Sequence, residues 1–328
     1  MNRGQGPPAS ASEPDRSADG AAAATLEQAG IAVRRLAPIG RWTWYRAGGS
    51  AAVLAEPADA AQAAHILRVC RDSGVPHRVL GGGANLLVRE GVVPGVTLRL
   101  TGPGLVGPMG NTDTNTDTDT ADVLRVGGGT DLFTLLNAAA RRGLTGLEHL
   151  AGVPGTVGGA VVMNAGGRHG DTAQAVDWVE LLTADGQHHR VGRNGLTFGY
   201  RRCRWHGGPL PLVLAAGLRV RPADPAAVRE RLRALTLEKR NSQPMADRSA
   251  GCCFRNPGGD AEPAGRLIDT AGLKGFRIGA AEVSPLHANF VTLDPGGRTD
   301  DVVAVLEHME AEVQRVHGVR LARELVVW

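Results

Sequence analysis

A mixed α+β protein of two or three domains is the fold class that this sequence predicts, on three observations. The length of 328 residues is more than one hydrophobic core ordinarily serves. From Leu26 onward, strand-like and helix-like segments alternate along the chain. Glycine is the outlier of the composition: its 46 residues gather in clusters, and such clusters let backbone N–H groups come close to a ligand.

Composition narrows the class of function. A hydrophobic share of 42% with 21% charged residues is that of a soluble globular protein. Aromatic residues make up only 4%, which argues against stacking platforms for bases. The net charge of +3 is dispersed without a Lys/Arg stripe, so no nucleic-acid partner is expected, while an anionic small molecule suits it. No apolar run approaches the roughly 18 residues that span a bilayer, so no membrane partner is expected. Cys70, Cys203, Cys252 and Cys253 form no CxxC and no zinc-like set with histidine. A reduced, cytoplasmic protein without metal is the expectation.

Residues 1–25, rich in Gly, Pro, Ser and Ala, read as a disordered tail. A strand is expected at Ala52–Ala55, and a helix from Asp59 to Ser73 with Ala63, Ile66, Leu67 and Cys70 on one face. The strand Arg78–Leu80 runs into the first glycine loop, Gly81-Gly82-Gly83-Ala84-Asn85-Leu86, a way to set N–H donors around an anion or simply a tight turn. It is neither the GxGxxG fingerprint nor a P-loop. Strands at Val96–Leu100 and Val123–Val126 flank a low-complexity Asn/Thr/Asp insertion within 108–121, read as a surface loop. Thr130 is expected to cap a helix through Arg142 with Phe133, Leu136 and Ala140 inward.

The second glycine cluster, Gly152 to Ala160, leaves little side chain to pack, so its backbone is expected against something flat or charged, such as a pyrophosphate. Strands follow at Trp178–Thr183 and Leu212–Val220, then a linker at Pro222–Pro225. Val228, Leu232 and Leu235 mark a helix, and a second is expected around Gly265–Ala271. Thr299–Val316 is the clearest helix, and Val319–Trp328 reads as a strand with Leu321 and Leu325 on one face and Glu324 on the other. In Gly251-Cys252-Cys253-Phe254-Arg255-Asn256-Pro257, a thiol held in a turn can donate a proton; the plainer reading is two small side chains in a core.

Taken in order, Arg46–Gly49, Gly81–Leu87, Gly146–Gly159, Tyr200-Arg201, Gly251–Pro257, Ala271–Gly275, His287–Phe290 and Glu324 form a specific set. On these motifs, over about Ala32 to Val327, the chain resembles the UDP-N-acetylenolpyruvoylglucosamine reductase (MurB) family. The resemblance implies an FAD-binding domain of two α+β subdomains (PCMH/VAO type) at 26–220 and a C-terminal substrate domain at 226–328. It implies FAD reduced by NADPH, and reduction of UDP-GlcNAc-enolpyruvate to UDP-N-acetylmuramate in peptidoglycan precursor synthesis by a monomer or weak oligomer. Gly81, Gly82, Gly83, Ala84, Asn85 and Leu86, with Gly152, Pro154, Gly155, Thr156, Gly158 and Gly159, would then hold the cofactor. Tyr200, Arg255, Asn256, His287 and Asn289 would meet the substrate.

Hydride addition to an enolpyruvyl β-carbon pushes charge onto the carboxylate. By the resemblance, Arg201 stabilises that charge as a fixed cation, and Glu324 shares the task as a protonated donor with a raised pKa. The α-carbon then takes a proton. The family turn commonly has serine at the donor position, where this chain has Cys252, a thiol with a reference pKa near 8.5. Cys253 is assigned to core packing. Cys203, Ala84 and Leu293 are further departures from the pattern. Two other readings remain: an FAD oxidase of the same fold, and a flavin- or nucleotide-binding protein disabled by the serine-to-cysteine change. Intact Arg201 and Glu324 weigh against both.

Overall fold

The computed structural model describes residues 16–111, 122–206, 208–259 and 261–328. The first 15 residues of the expected tail and positions 112–121 of the Asn/Thr/Asp insertion lie outside the described residues. The remainder of the tail is not disordered. It enters helix α1 (Arg16–Gln28), which buries Ala22, Ala23 and Leu26. The alanine run that looked featureless is the best of helix formers and needs only a small apolar stripe to dock. Asp19 fastens it by accepting from the Gly95 N–H at 3.0 Å.

After α1 come β1 (Ala32–Ala37), β2 (Ser50–Glu56), α2 (Ala60–Asp72), β3 (His77–Val79), β4 (Leu86–Leu87) and β5 (Val92–Leu98). Four of these strands make a sheet in the order β1-β2-β5-β3, parallel except for β1. Asp59 caps α2 through the Gln62 N–H, as its sequence position suggests. Helices α1 and α2 and this sheet share one core around Leu26, Ile66, Leu67 and Leu98.

The second unit contains β6 (Pro108–Asn111), β7 (Asp122–Gly127), α3 (Leu132–Arg141), β8 (Leu144–Thr145) and α4 (Val157–Met163). It continues through β9 (Gly166–Gly167), β10 (Gly170–Asp171), β11 (Val176–Leu182), β12 (His188–Gly192), β13 (Leu196–Gly199), β14 (Arg202–Trp205), β15 (Gly208–Pro209) and β16 (Leu212–Pro222). Its antiparallel sheet runs β12-β11-β16-β7-β6, with β8 added to the end of β16. Two details differ from expectation. The cap of α3 is Asp131, which accepts from the Thr134 N–H, while the Thr130 hydroxyl accepts from Gly107. The inward face of α3 is Leu132, Leu135, Leu136, Ala139 and Ala140, which includes the expected Leu136 and Ala140 but leaves Phe133 73% exposed.

Chain then forms α5 (Pro225–Ser242), α6 (Ala264–Thr270), β17 (Arg277–Ile278), β18 (Ala281–Val283), β19 (Val291–Leu293), α7 (Thr299–His317) and β20 (Val326–Val327). Helix α5, expected in the C-terminal domain, packs on α3, β8 and the turn at Glu148–Leu150, with Leu232 against the second core. Pro222 ends β16, Asp224 caps the helix and Pro225 is its first residue, so the expected linker is a two-residue connection. From Ala250 onward a separate core forms around Phe254, Ile268, Val291 and the inner stripe of α7. Residues 319–325 are not a continuous strand. Leu321 and Leu325 are buried, Arg323 forms an isolated antiparallel bridge with Phe254, and Val326 and Val327 pair in parallel with Leu86 and Leu87. No helix among the described residues is long and apolar enough to cross a membrane.

Candidate active site

Two glycine loops form one wall of the site, and they interlock through bare backbone. A Cβ on Gly82 would lie 2.6 Å from the Gly155 Cα, and one on Gly83 would lie 2.4 Å from the Trp42 carbonyl oxygen. Real side chains do not fit at such distances, so glycine is required at both positions. Ala84 is the neighbour of Gly155, and Thr156 caps α4 by accepting from the Gly159 N–H at 3.4 Å. Among the described residues, the N–H groups of Gly81, Gly82, Gly83, Ala84, Gly155 and Thr156 donate to no protein acceptor. Rows of unpaired backbone donors at a loop junction suit an anion, and the pyrophosphate of FAD fits that chemistry. Other positions serve differently. Leu86 is buried in β4, the Gly158 N–H is spent on Gly128, and Gly152 makes room for the Lys239 side chain.

Opposite the loops stands the Tyr200-Arg201 turn of the β13–β14 hairpin. Arg201 is held at φ 55°, a left-handed conformation that costs a non-glycine residue about 1–2 kcal/mol. Its Nε donates to Glu324 Oε1 at 2.5 Å and its Nη1 to the Gly166 carbonyl at 3.4 Å. Glu324 is 8% exposed, and its Oε2 is buried without a hydrogen-bond partner among the described residues. Burial pushes its carboxyl above the usual carboxylate range, against the pull of Arg201 and Arg255. When protonated on Oε2, the carboxyl has a donor that no protein group uses. Cys252 lies within the same field. Burial and the Glu324 charge push its thiol up to about 12, with Arg201 opposing.

The turn that carries Cys252 is fixed by main chain. Cys253 donates to the Asn289 carbonyl and accepts from the Glu324 N–H, both at 2.8 Å, and Arg255 donates to Ala322 at 2.8 Å. Asn289 is 3% exposed, with its amide oxygen and nitrogen both spent on the Phe254 backbone. It supports the turn from within the core. His287 acts similarly, accepting through Nδ1 from the Asn289 N–H at 3.2 Å. Tyr200, Arg255 and Asn256 are exposed at the rim, and Tyr200 Oη accepts from the Asn256 N–H at 3.5 Å. Cys253 packs in the core beside Tyr45. Asn85, expected on the cofactor, directs its amide to the Glu324 carbonyl at 3.0 Å and thereby ties the first glycine loop to the Glu324 segment.

Lys239 was not anticipated. Burial and Arg201 push its ammonium down to about 8. Its Cδ crowds Gly152 and its Nζ approaches Gly167. The signal was a charge continuing the Leu232–Leu235 stripe of α5 at helical spacing. A lysine with a depressed pKa weakens the fold while it is charged, and that penalty fades as pH rises from about 8 towards its ordinary value of 10.5. Lys239→Met should therefore raise the melting temperature at pH 7 by about 2–4 °C, with a smaller gain at pH 10. Equal melting shifts at both pH values would contradict this account.

Fold and site together define a class: an enzyme built on an FAD-binding domain whose reactive groups are completed by a separate C-terminal domain. A model of an FAD binding domain matches residues 51–192. A model of the C-terminal domain of UDP-N-acetylenolpyruvoylglucosamine reductase matches residues 243–328. The chain belongs to the UDP-N-acetylenolpyruvoylglucosamine reductase family. It is 39% identical to UDP-N-acetylenolpyruvoylglucosamine reductase 2 of Symbiobacterium thermophilum, over 90% of this chain and 92% of that one. With the reductase of Rubrobacter xylanophilus the identity is 38%, over 92% and 97% of the two chains. The crystal structure of the reductase (MurB) from Thermus caldophilus superposes with a TM-score of 0.73 at 34% identity, covering 91% of this chain and 99% of that one.

Proposed function

We propose that the protein reduces UDP-N-acetylglucosamine enolpyruvate to UDP-N-acetylmuramate with electrons from NADPH. The observation that carries this is the pair of half-buried Arg201 and buried Glu324, whose electrostatic field reaches Cys252, beside the interlocked glycine loops. FAD, when bound, supplies the hydride that passes from NADPH to the β-carbon of the enolpyruvyl group. The donors of Gly81–Ala84, Gly155 and Thr156 would hold its pyrophosphate. Arg201 stabilises the charge that develops on the substrate carboxylate, because its guanidinium is permanently cationic and pre-positioned. Glu324, whose carboxyl burial pushes above the usual carboxylate range, offers its Oε2 proton, when protonated, as a further hydrogen bond to that charge. Cys252 holds its proton at neutral pH and gives it to the α-carbon. Arg201, Arg255 and Lys239 together suit an anionic substrate.

The test is anaerobic. The yellow protein is reduced with NADPH, then mixed with UDP-N-acetylglucosamine enolpyruvate while flavin absorbance is followed. Rapid return of oxidised flavin is expected. A flavin that stays reduced until oxygen enters would point to an oxidase instead.

A further inference from the structure

We infer that Asn164 positions Arg201 for this reaction by fastening the base of its hairpin to the end of α4, an inference that rests on the function proposed above. Asn164 is 3% exposed and ends α4 in the left-handed conformation, at φ 41° and ψ 53°. Asparagine tolerates that geometry, and so does glycine. What asparagine adds is the amide. Its Nδ2 donates to Asp171 Oδ2 at 2.9 Å and to the Gly199 carbonyl at 3.1 Å, while Oδ1 accepts from the Ala173 N–H at 3.0 Å.

One buried side chain thus commits both of its donors and one acceptor site to two other segments. Gly199 immediately precedes the Tyr200-Arg201 turn. Asp171 lies in β10, paired with β9, whose Gly166 carbonyl accepts from Arg201 Nη1. Arg201 is therefore connected to Asn164 by two routes, one through its own hairpin and one through the carbonyl that its guanidinium touches. Helix α4 begins at the Thr156 cap, within the second glycine loop. The amide fixes the distance between that loop and the guanidinium. Asn164 touches no reacting atom in this scheme and acts only through Arg201.

The test uses the full FAD-loaded chain. Asn164→Gly keeps the left-handed backbone available and removes the amide. Flavin content and reduction by NADPH should stay near those of the parent, while reoxidation by UDP-N-acetylglucosamine enolpyruvate slows about 10²-fold, the usual effect of an ångström of misplacement. In an Arg201→Lys background the same substitution should slow reoxidation by less than about fivefold, because coupled residues are not additive. Equal slowing of both half-reactions overturns the proposal, since a loosened domain would harm both. A full-sized effect in the Arg201→Lys background overturns it too. If Asn164→Gly loses flavin, Asn164→Asp combined with Asp171→Asn restores that pair with donor and acceptor exchanged and leaves Gly199 without the amide donor. Retained flavin with slow reoxidation then supports the proposal, and parent-like reoxidation overturns it. Failure of the parent protein itself to reoxidise overturns the functional reading and this inference together, before any substitution is made.

Discussion

Arg201→Ala is expected to slow reoxidation of the reduced flavin by UDP-N-acetylglucosamine enolpyruvate about 10³-fold, the scale of losing one preorganised charge stabiliser. The loss should fall on the oxidative half-reaction, because the guanidinium answers charge that forms only after hydride reaches the substrate. Two further effects follow from its neighbours. Arg201 lowers the pKa of both Glu324 and Lys239, so its removal should raise both. Glu324 would then stay protonated to higher pH, and Lys239 would stay charged. Arg201→Lys should recover little of the rate, since an ammonium lacks the planar fork that bonds Glu324 and Gly166 at once. Stopped-flow traces of the two half-reactions provide the check. Oxidative rates within about tenfold of the parent for Arg201→Ala would remove Arg201 from the mechanism.

Cys252→Ala should slow turnover by about 10²–10⁴-fold, the range for removing a positioned acid, whereas Cys252→Ser should keep turnover within about tenfold. Serine restores a proton of similar reach, and alanine restores none. The thiol also makes a reagent-based prediction. With its pKa pushed up to about 12, the thiolate is scarce at pH 8, so iodoacetamide should modify Cys252 about 10³-fold more slowly than a free cysteine. Peptide mapping after timed alkylation gives the rate at this residue. Fast labelling together with full activity of Cys252→Ala would show a bystander in the turn.

The parts legible in the sequence were those governed by neighbours along the chain. Helices α2 and α7 emerged with their buried faces because apolar spacing alone determines them. Helix α3 emerged with the wrong cap because Thr130 and Asp131 are both good caps, and the choice depends on Gly107, which is distant in sequence. Glycine at 82 and 83 was visible, but its reason was not, since the neighbours that require it are Gly155 and Trp42. Arg201, Cys252 and Glu324 were found through the ordered motifs of the family. No local pattern announces that a residue near position 200 and one near 324 share a hydrogen bond. Asn289 and Asn85 carry structural bonds that no local pattern announces. Both resemble ligand contacts in sequence, and both spend their amides on backbone that carries other site residues.

The bond from Asn85 to the Glu324 carbonyl closes a loop of 239 residues, and the short β4–β20 pairing lies beside it. Contacts of such long range form late in folding, since the entropy of closing so long a loop is lost before the contact returns anything. The glycine loop and the Glu324 segment are therefore expected to come into register late in the folding reaction. A cofactor that binds this loop selects chains in which the register is complete, by mass action on the folded state. Flavin retention in a purified sample then reports on more than cofactor supply: a yellow molecule is one in which the far end of the chain has already docked.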